Sequence, residues 1–189
     1  MPNRINCAKC KNEGEYIWIE DGKKYGEPCP DCHGIGYLKK KSGITYINGD
    51  LFAAKPKIIV HGCNARGVMG SGFALQIKER FPKAFKDYKD YCGLREPDYL
   101  LGTIKLSLQP CGIVVVNAIT QYDYGRRTDI RYVSYDAIDD CMKSIAHMST
   151  TDIISMPKIG AGLGGGDWGT IEAIIKNRLK EHQVHIYEL

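Results

Sequence analysis

Four cysteines near the start of the chain, in CAKC (7–10) and CPDC (29–32), form two CxxC pairs separated by 18 residues. Thiolates at that spacing suit a tetrahedral zinc site, so Cys7, Cys10, Cys29 and Cys32 are the expected ligands of a structural Zn2+. A redox dithiol or two disulfides are the other chemistries open to them; zinc is favoured because neither pair sits in a strand-to-helix context. Four thiolates complete the shell, which leaves His33 a bystander and no open position for a substrate. Further along, two glycine-rich segments, GVMGSGFALQIKERFP (67–82) and PKIGAGLGGGDW (157–168), each follow a strand-like run and lead into a helix-like one. Such loops offer unblocked backbone N–H groups and a positive helix end to an anion, although glycine also serves plain tight turns. Beside them stand His61 and Asp167. A histidine is the usual acid or base near neutral pH, and a carboxylate can orient it or activate water. Equally, His61 could be a satisfied structural residue ending a buried strand, and Asp167 the N-cap of the helix that begins near Trp168.

The elements that position these groups follow from periodicity. Short runs rich in β-branched residues and bounded by turn formers predict strands at ITYI, KIIVHG, GTIKLS, GIVVVNA, DIISMP and VHIYEL. Phe73, Ile77 and Phe81, then Ile138, Cys141, Met142 and Ile145, then Ile171, Ile174, Ile175 and Leu179 recur at helical spacing. Strands alternating with helices predict an α/β domain of three layers with a largely parallel sheet. GTIKLS and GIVVVNA are joined only by LQPC, which permits a hairpin and nothing longer, so the sheet should be mixed. Residues 1–43 hold few aliphatics and cannot fold unaided, which again calls for metal. KKKSG reads as a linker, giving a small zinc ribbon-like module over 1–43 and the α/β domain over 44–189.

Composition narrows the function. The formal net charge of +4 divides evenly, with 8 Lys/Arg against 6 Asp/Glu in residues 1–43 and 18 against 16 in the remainder, so no basic face marks a nucleic-acid partner. No apolar run approaches the roughly 20 residues that span a bilayer, and the N-terminus lacks a secretory apolar stretch, so a cytoplasmic protein without a membrane partner is expected. Cys63, Cys92, Cys111 and Cys141 are scattered through apolar or mixed sequence and are expected as small buried hydrophobes.

CPDCHGIG resembles the CxxCxGxG repeat of DnaJ-type chaperones, in which two repeats share one zinc, while CAKCKNEG keeps only the final glycine. From residue 44 onward, NGDLF (48–52), IVHGCN (59–64), GVMGSGFA (67–74), TQYDYG (120–125) and MPKIGAGLGGGDW (156–168) resemble macrodomains, in order and with fitting gaps. Within that superfamily they look most like the ADP-ribose-1''-phosphate phosphatase branch and the related ADP-ribosyl-glutamate hydrolase branch. The resemblance implies ADP-ribose as ligand, with Asp50 on the adenine amino group and Leu51 adjacent, and Asn64 on the distal ribose. It places Gly70, Ser71 and Gly72 around one phosphate, Gly160, Ala161, Gly162, Leu163 and Gly164 around the other, and Tyr124 at the distal-ribose end. It also implies His61 and Asp167 as a catalytic pair. Read without it, Asp50 is an ordinary turn residue beside a glycine.

Three departures bear on the reaction. Relatives that reverse DNA ADP-ribosylation look like GVMGKG, where this chain has Ser71, and the glutamate-hydrolase branch resembles ITK and GLD where this chain has Gln121 and Gly164. A lysine-dependent mechanism is therefore not expected. The expected function is hydrolysis of an ADP-ribose derivative, removal of phosphate from ADP-ribose-1''-phosphate first among them or cleavage of an ADP-ribosyl ester. The alternative is a non-catalytic ADP-ribose reader recruited to a protein partner through the zinc module.

Overall fold

The computed structural model describes residues 4–6, 11, 15–20, 23–30, 37–39, 42–148 and 152–188. The chain divides into two compact units, Met1–Lys41 and Ser42–Leu189. Among the described residues of the first, four short strands make two antiparallel pairs: β1 (Arg4–Asn6) with β4 (Tyr37–Lys39), and β2 (Glu15–Glu20) with β3 (Lys23–Pro28). Cys29 follows β3 directly and is fully buried. Cys7, Cys10 and Cys32, the other expected zinc ligands, lie outside the described residues, as does His33.

The second unit holds six strands, β5 (Gly43–Asn48), β6 (Ile58–Asn64), β7 (Ile104–Leu108), β8 (Val114–Gln121), β9 (Ile154–Pro157) and β10 (Gln183–Glu188). They form one sheet in the order β5-β10-β9-β6-β8-β7. All neighbours are parallel except β7 and β8, the hairpin that the short connection dictates. Four helices cover it: α1 (Gly72–Arg80), α2 (Pro82–Gly93), α3 (Tyr135–Ala146) and α4 (Trp168–Arg178). The arrangement is the mixed α/β sheet that the alternation predicts.

Two cores explain why the central strands read as continuous apolar runs. Ile58, Val60, Val116 and Ala118 pack with α3 and α4 on one face, while Ile59, Cys63, Val115 and Ile119 pack with α1 and α2 on the other. A strand buried on both faces gives no alternation to read. Helix α2 is absent from the apolar stripes because its buried positions are Ala84 and Tyr88 rather than aliphatics. Pro82 opens it at the first turn, where a missing N–H costs nothing, and Phe81 ends α1 and begins α2.

Cys63 and Cys141 are buried as expected and Cys92 is half-buried, but Cys111 is exposed. It sits in the β7–β8 turn, closed by the Gly112 N–H donating to the Gln109 carbonyl, where no core can form around it. Among the described residues no helix is long and apolar enough to cross a membrane.

Candidate functional site

Because β6, β8 and β9 run parallel, the segments that follow them emerge at one edge of the sheet. Ligands of such sheets bind outside the strand C-termini. A cleft of about 520 Å³ lies there, within the usual range for a small-molecule site. The wall includes Asn64, Gly70, Ser71, Gly72, Tyr124, Gly160, Gly162, Leu163 and Gly164. These expected ligand-binding residues, spread in chain order from Asn64 to Gly164, share one surface.

The first loop is built on Asn64. Its side-chain oxygen accepts from the backbone N–H groups of Arg66 (3.0 Å) and Val68 (3.2 Å), and its amide donates to the Val68 carbonyl (2.6 Å). From α2 the buried Tyr88 hydroxyl donates to the Asn64 carbonyl. One amide hydrogen of Asn64 therefore remains for a ligand. The loop ends on Ser71, the N-cap of α1, whose side chain makes no capping bond. The hydroxyl and the first N–H groups of α1 are thus open to an anion.

The second loop works differently. Its helix end is already occupied: the Asp167 carboxylate accepts from the Thr170 N–H (2.7 Å) and the Thr170 hydroxyl (2.8 Å), which also holds its pKa below the ordinary carboxylate value. What the loop offers instead is its own backbone. Gly166 N–H closes on the Gly160 carbonyl and Gly165 N–H on that of Gly162, leaving the N–H groups of Gly162, Leu163 and Gly164 without a described protein acceptor. Gly160 has φ +75°, and a Cβ there would lie 2.9 Å from Val133 Cγ2; at Gly164 a Cβ would lie 2.7 Å from the Gly160 carbonyl oxygen. Glycine is the residue that fits both.

The remaining expected residues stand off the wall. Ala161 belongs to the second loop without facing the cleft. Asp50 is exposed after β5 and its carboxylate accepts from the Phe52 N–H (2.9 Å), the turn role left open for it, with Leu51 buried beside it. His61 and Asp167 are not brought together in the cleft. His61 points to the α1/α2 face of β6, is fully buried, and donates from Nε2 to the Asn117 side-chain oxygen (2.8 Å) beneath Phe73. Burial lowers its pKa to about 4, with the hydrogen bonds to Asn117 and Gly62 opposing only part of the shift. Strand alternation is the physical reason, since Gly62, next along β6, takes the cleft side. The structural readings of both residues, buried histidine and helix cap, are the ones these contacts describe.

The cap gives a first prediction. Asp167→Ala should cost about 1 kcal/mol of stability and Asp167→Asn far less, read from urea unfolding at pH 7. Both variants should keep the hydrolytic turnover proposed below. Turnover lost in Asp167→Asn with stability intact would return the carboxylate to the chemistry.

Sequence reasoning passed over Thr120, Arg126 and Lys158, which also line the cleft. Thr120 is 1% exposed and its hydroxyl has no hydrogen-bond partner in the ligand-free protein. A buried orphan hydroxyl on a cleft wall points to a ligand that satisfies it. Only a threonine next to the end of a largely apolar strand could have signalled it. Among the described residues no carboxylate and no imidazole line the cleft, whose cations are Arg126 and Lys158.

Comparison with known proteins agrees with this architecture. The Macro domain family profile matches residues 60–175. The ADP-ribose 1''-phosphate phosphatase of Debaryomyces hansenii is 32% identical over 176 residues, covering 76% of this chain and 98% of that protein. The DNA ADP-ribosyl glycohydrolase of Mycobacterium tuberculosis is 30% identical over 134 residues, covering 68% of this chain and 36% of that protein. A solved protein of unknown function from Bacteroides thetaiotaomicron superposes with a TM-score of 0.70 at 32% identity, over 78% of this chain and 99% of that one. With its mixed six-stranded sheet and paired glycine loops, the chain belongs to the Macro domain family.

Proposed function

We propose that the cleft binds ADP-ribose and that the protein hydrolyses a derivative of it, releasing phosphate from ADP-ribose 1''-phosphate or cleaving an ADP-ribosyl ester. The observation that carries this reading is the cleft wall itself, with two loops of unclaimed backbone N–H groups and no carboxylate to repel a diphosphate. The names of the phosphatase and glycohydrolase relatives support the hydrolytic part. In the phosphatase reaction water adds at phosphorus, the bond to the ribose oxygen breaks, and that oxygen leaves as a hydroxyl. The chain contributes position and fixed dipoles, which carry most of the catalysis of phosphoryl transfer. The test is titration calorimetry with ADP-ribose, followed by phosphate release from ADP-ribose 1''-phosphate and cleavage of an ADP-ribosyl ester. Binding with turnover of either compound is the expected result; no ADP-ribose binding would sink the proposal.

A second reading, the non-catalytic reader, is favoured by one observation: among the described residues no imidazole or carboxylate lines the cleft to move a proton. Binding without turnover of either compound selects it.

Thr120→Val separates ligand contact from packing. Removing a hydroxyl unpaired in the free protein should leave stability unchanged or raise it by up to about 1 kcal/mol. Losing its bond to the ligand should weaken ADP-ribose about tenfold, or 1.4 kcal/mol. Thermal unfolding and calorimetry should thus move in opposite directions, and an unchanged affinity would remove Thr120 from the site.

We also propose that Cys7, Cys10, Cys29 and Cys32 hold one structural zinc, supported by their spacing and by the burial of Cys29. Such a closed site has no open position for substrate, so the module would serve folding and a protein partner. Metal analysis should give one zinc per chain; a protein that folds its N-terminal unit without metal would refute this.

A further inference from the structure

The strand order fixes the direction in which a ligand lies. From β5, which Asp50 follows, to β8, which Arg126 follows, the order β5-β10-β9-β6-β8 contains four inter-strand steps, about 19 Å of sheet edge. That length takes a base, two sugars and a diphosphate laid end to end. If the base lies near Asp50, where the resemblance to macrodomains puts the adenine amino group, the far sugar comes to the β8 end, where Thr120 and Arg126 line the cleft.

Arg126 is unlike the cations around it. Arg66 pairs with Asp123 (3.7 Å) and lies over the Tyr122 ring, Arg127 pairs with Asp129 (2.6 Å), Arg131 lies over Tyr135, and Lys158 pairs with Glu188 (2.7 Å). Arg126 makes no ion pair, hydrogen bond or ring contact among the described residues. Its backbone is nonetheless fixed. The Gln121 amide donates to the Asp123 carbonyl (2.9 Å), the Tyr124 N–H donates to the Asp123 carboxylate (2.9 Å), and a methyl group at Gly125 would overlap the Tyr132 hydroxyl. A guanidinium held on a cleft wall that carries no acid, with no partner of its own, is an arginine waiting for an anion.

We infer that Arg126 is a specificity-determining residue which receives an anionic group carried on the far ribose, namely a phosphate monoester. The diphosphate is already provided for by the two glycine loops, so a guanidinium beyond them has no role in holding ADP-ribose itself. A terminal phosphate dianion matches its planar fork of donors, with two parallel N–H bonds to two oxygens. The inference rests on the proposed ADP-ribose reading and narrows it, since an arginine at this end selects the phosphorylated compound over unmodified ADP-ribose.

The experiment compares ADP-ribose with its 1''-phosphonate isostere, which cannot be hydrolysed, by calorimetry on the full-length wild type, Arg126→Gln and Arg126→Lys. The wild type should prefer the phosphonate about tenfold or more. Arg126→Gln should erase that preference with ADP-ribose affinity changed less than threefold, and Arg126→Lys, which keeps the charge but not the fork, should fall between. Raised salt should weaken the wild-type preference and leave that of Arg126→Gln unmoved. A preference that survives in Arg126→Gln, or a loss of both ligands alike, would overturn the inference while leaving ADP-ribose binding standing. If the wild type binds neither compound, it is the proposed function that fails.

Discussion

Gly164→Val should weaken ADP-ribose binding at least a hundredfold while the melting temperature shifts by only a few degrees. At this position a Cβ would meet three backbone atoms of Gly160, with its carbonyl oxygen at 2.7 Å. Backbone cannot rotate away as a side chain can, so the loop must open. The Gly164 carbonyl also accepts from the N–H groups of Tyr132 (2.9 Å) and Val133 (3.0 Å), so the displacement reaches the segment beyond β8 as well. The N–H groups of Gly162, Leu163 and Gly164 are those offered to a phosphate, and each charge-assisted bond lost is worth roughly 1.5–3 kcal/mol. Two such losses give about 3 kcal/mol, which is over a hundredfold in affinity. Residues 160–167 of the loop belong to neither core, and a loss of about 1 kcal/mol of stability lowers the melting temperature by roughly 2–4 °C in a domain of this size. Calorimetry and a thermal scan decide the matter. An affinity within threefold of wild type would mean that the second loop does not hold the ligand.

Gly164 also shows what kind of information the sequence carries. Both glycine loops were legible as anion-binding candidates because each connects a β-branched run to a helical stripe, and the six strands followed from the same runs. The chemistry-bearing side chains were harder. IIVHGCN is buried on both faces, so its pattern is silent on which residues face α1 and α2 and which face the cleft. Only the fold assigns Gly62 and Asn64 to the cleft wall and His61 to the core. GGGDW marks a helix start, but a cap and a catalytic carboxylate share one residue type at one place. Thr120 opens TQYDYG without being singled out there, and Arg126 lies just beyond that motif. The first matters because its hydroxyl lacks a partner and the second because its neighbours have theirs, and both are facts of tertiary structure. Helix α2 escaped because Ala84 and Tyr88 give no aliphatic stripe, yet through the Tyr88 hydroxyl it anchors Asn64.

The placement of His61 has a large consequence for stability. In the unfolded chain its imidazole takes up a proton near pH 6.5. In the folded protein burial holds that back to about pH 4. Between those values the unfolded state binds more protons, so the stability contributed by the neutral ring is complete above pH 6.5 and is lost as pH falls towards 4. At 1.36 kcal/mol for each pH unit, the loss amounts to about 3 kcal/mol, a large share of the 5–15 kcal/mol that ordinarily holds a domain together. His61→Gln isolates it: glutamine can donate to the Asn117 side-chain oxygen but does not titrate. The difference in unfolding free energy between wild type and His61→Gln should favour the wild type by about 3 kcal/mol more at pH 7 than at pH 4. Other titrating groups, His185 with its pKa also lowered by burial among them, cancel in that difference. Should His61→Gln fail to fold, the wild type still answers, because the His61 ring proton resonances must stay unmoved from pH 8 to pH 5. A ring titrating near pH 6.5 would place the imidazole in contact with solvent. Turnover abolished in a folded His61→Gln, with ADP-ribose affinity kept, would make it an acid or base after all. With the ring on the α1/α2 side of β6 and hydrogen-bonded to Asn117, the expected result is a histidine that holds the sheet together at neutral pH and leaves the substrate to the loops at the strand ends.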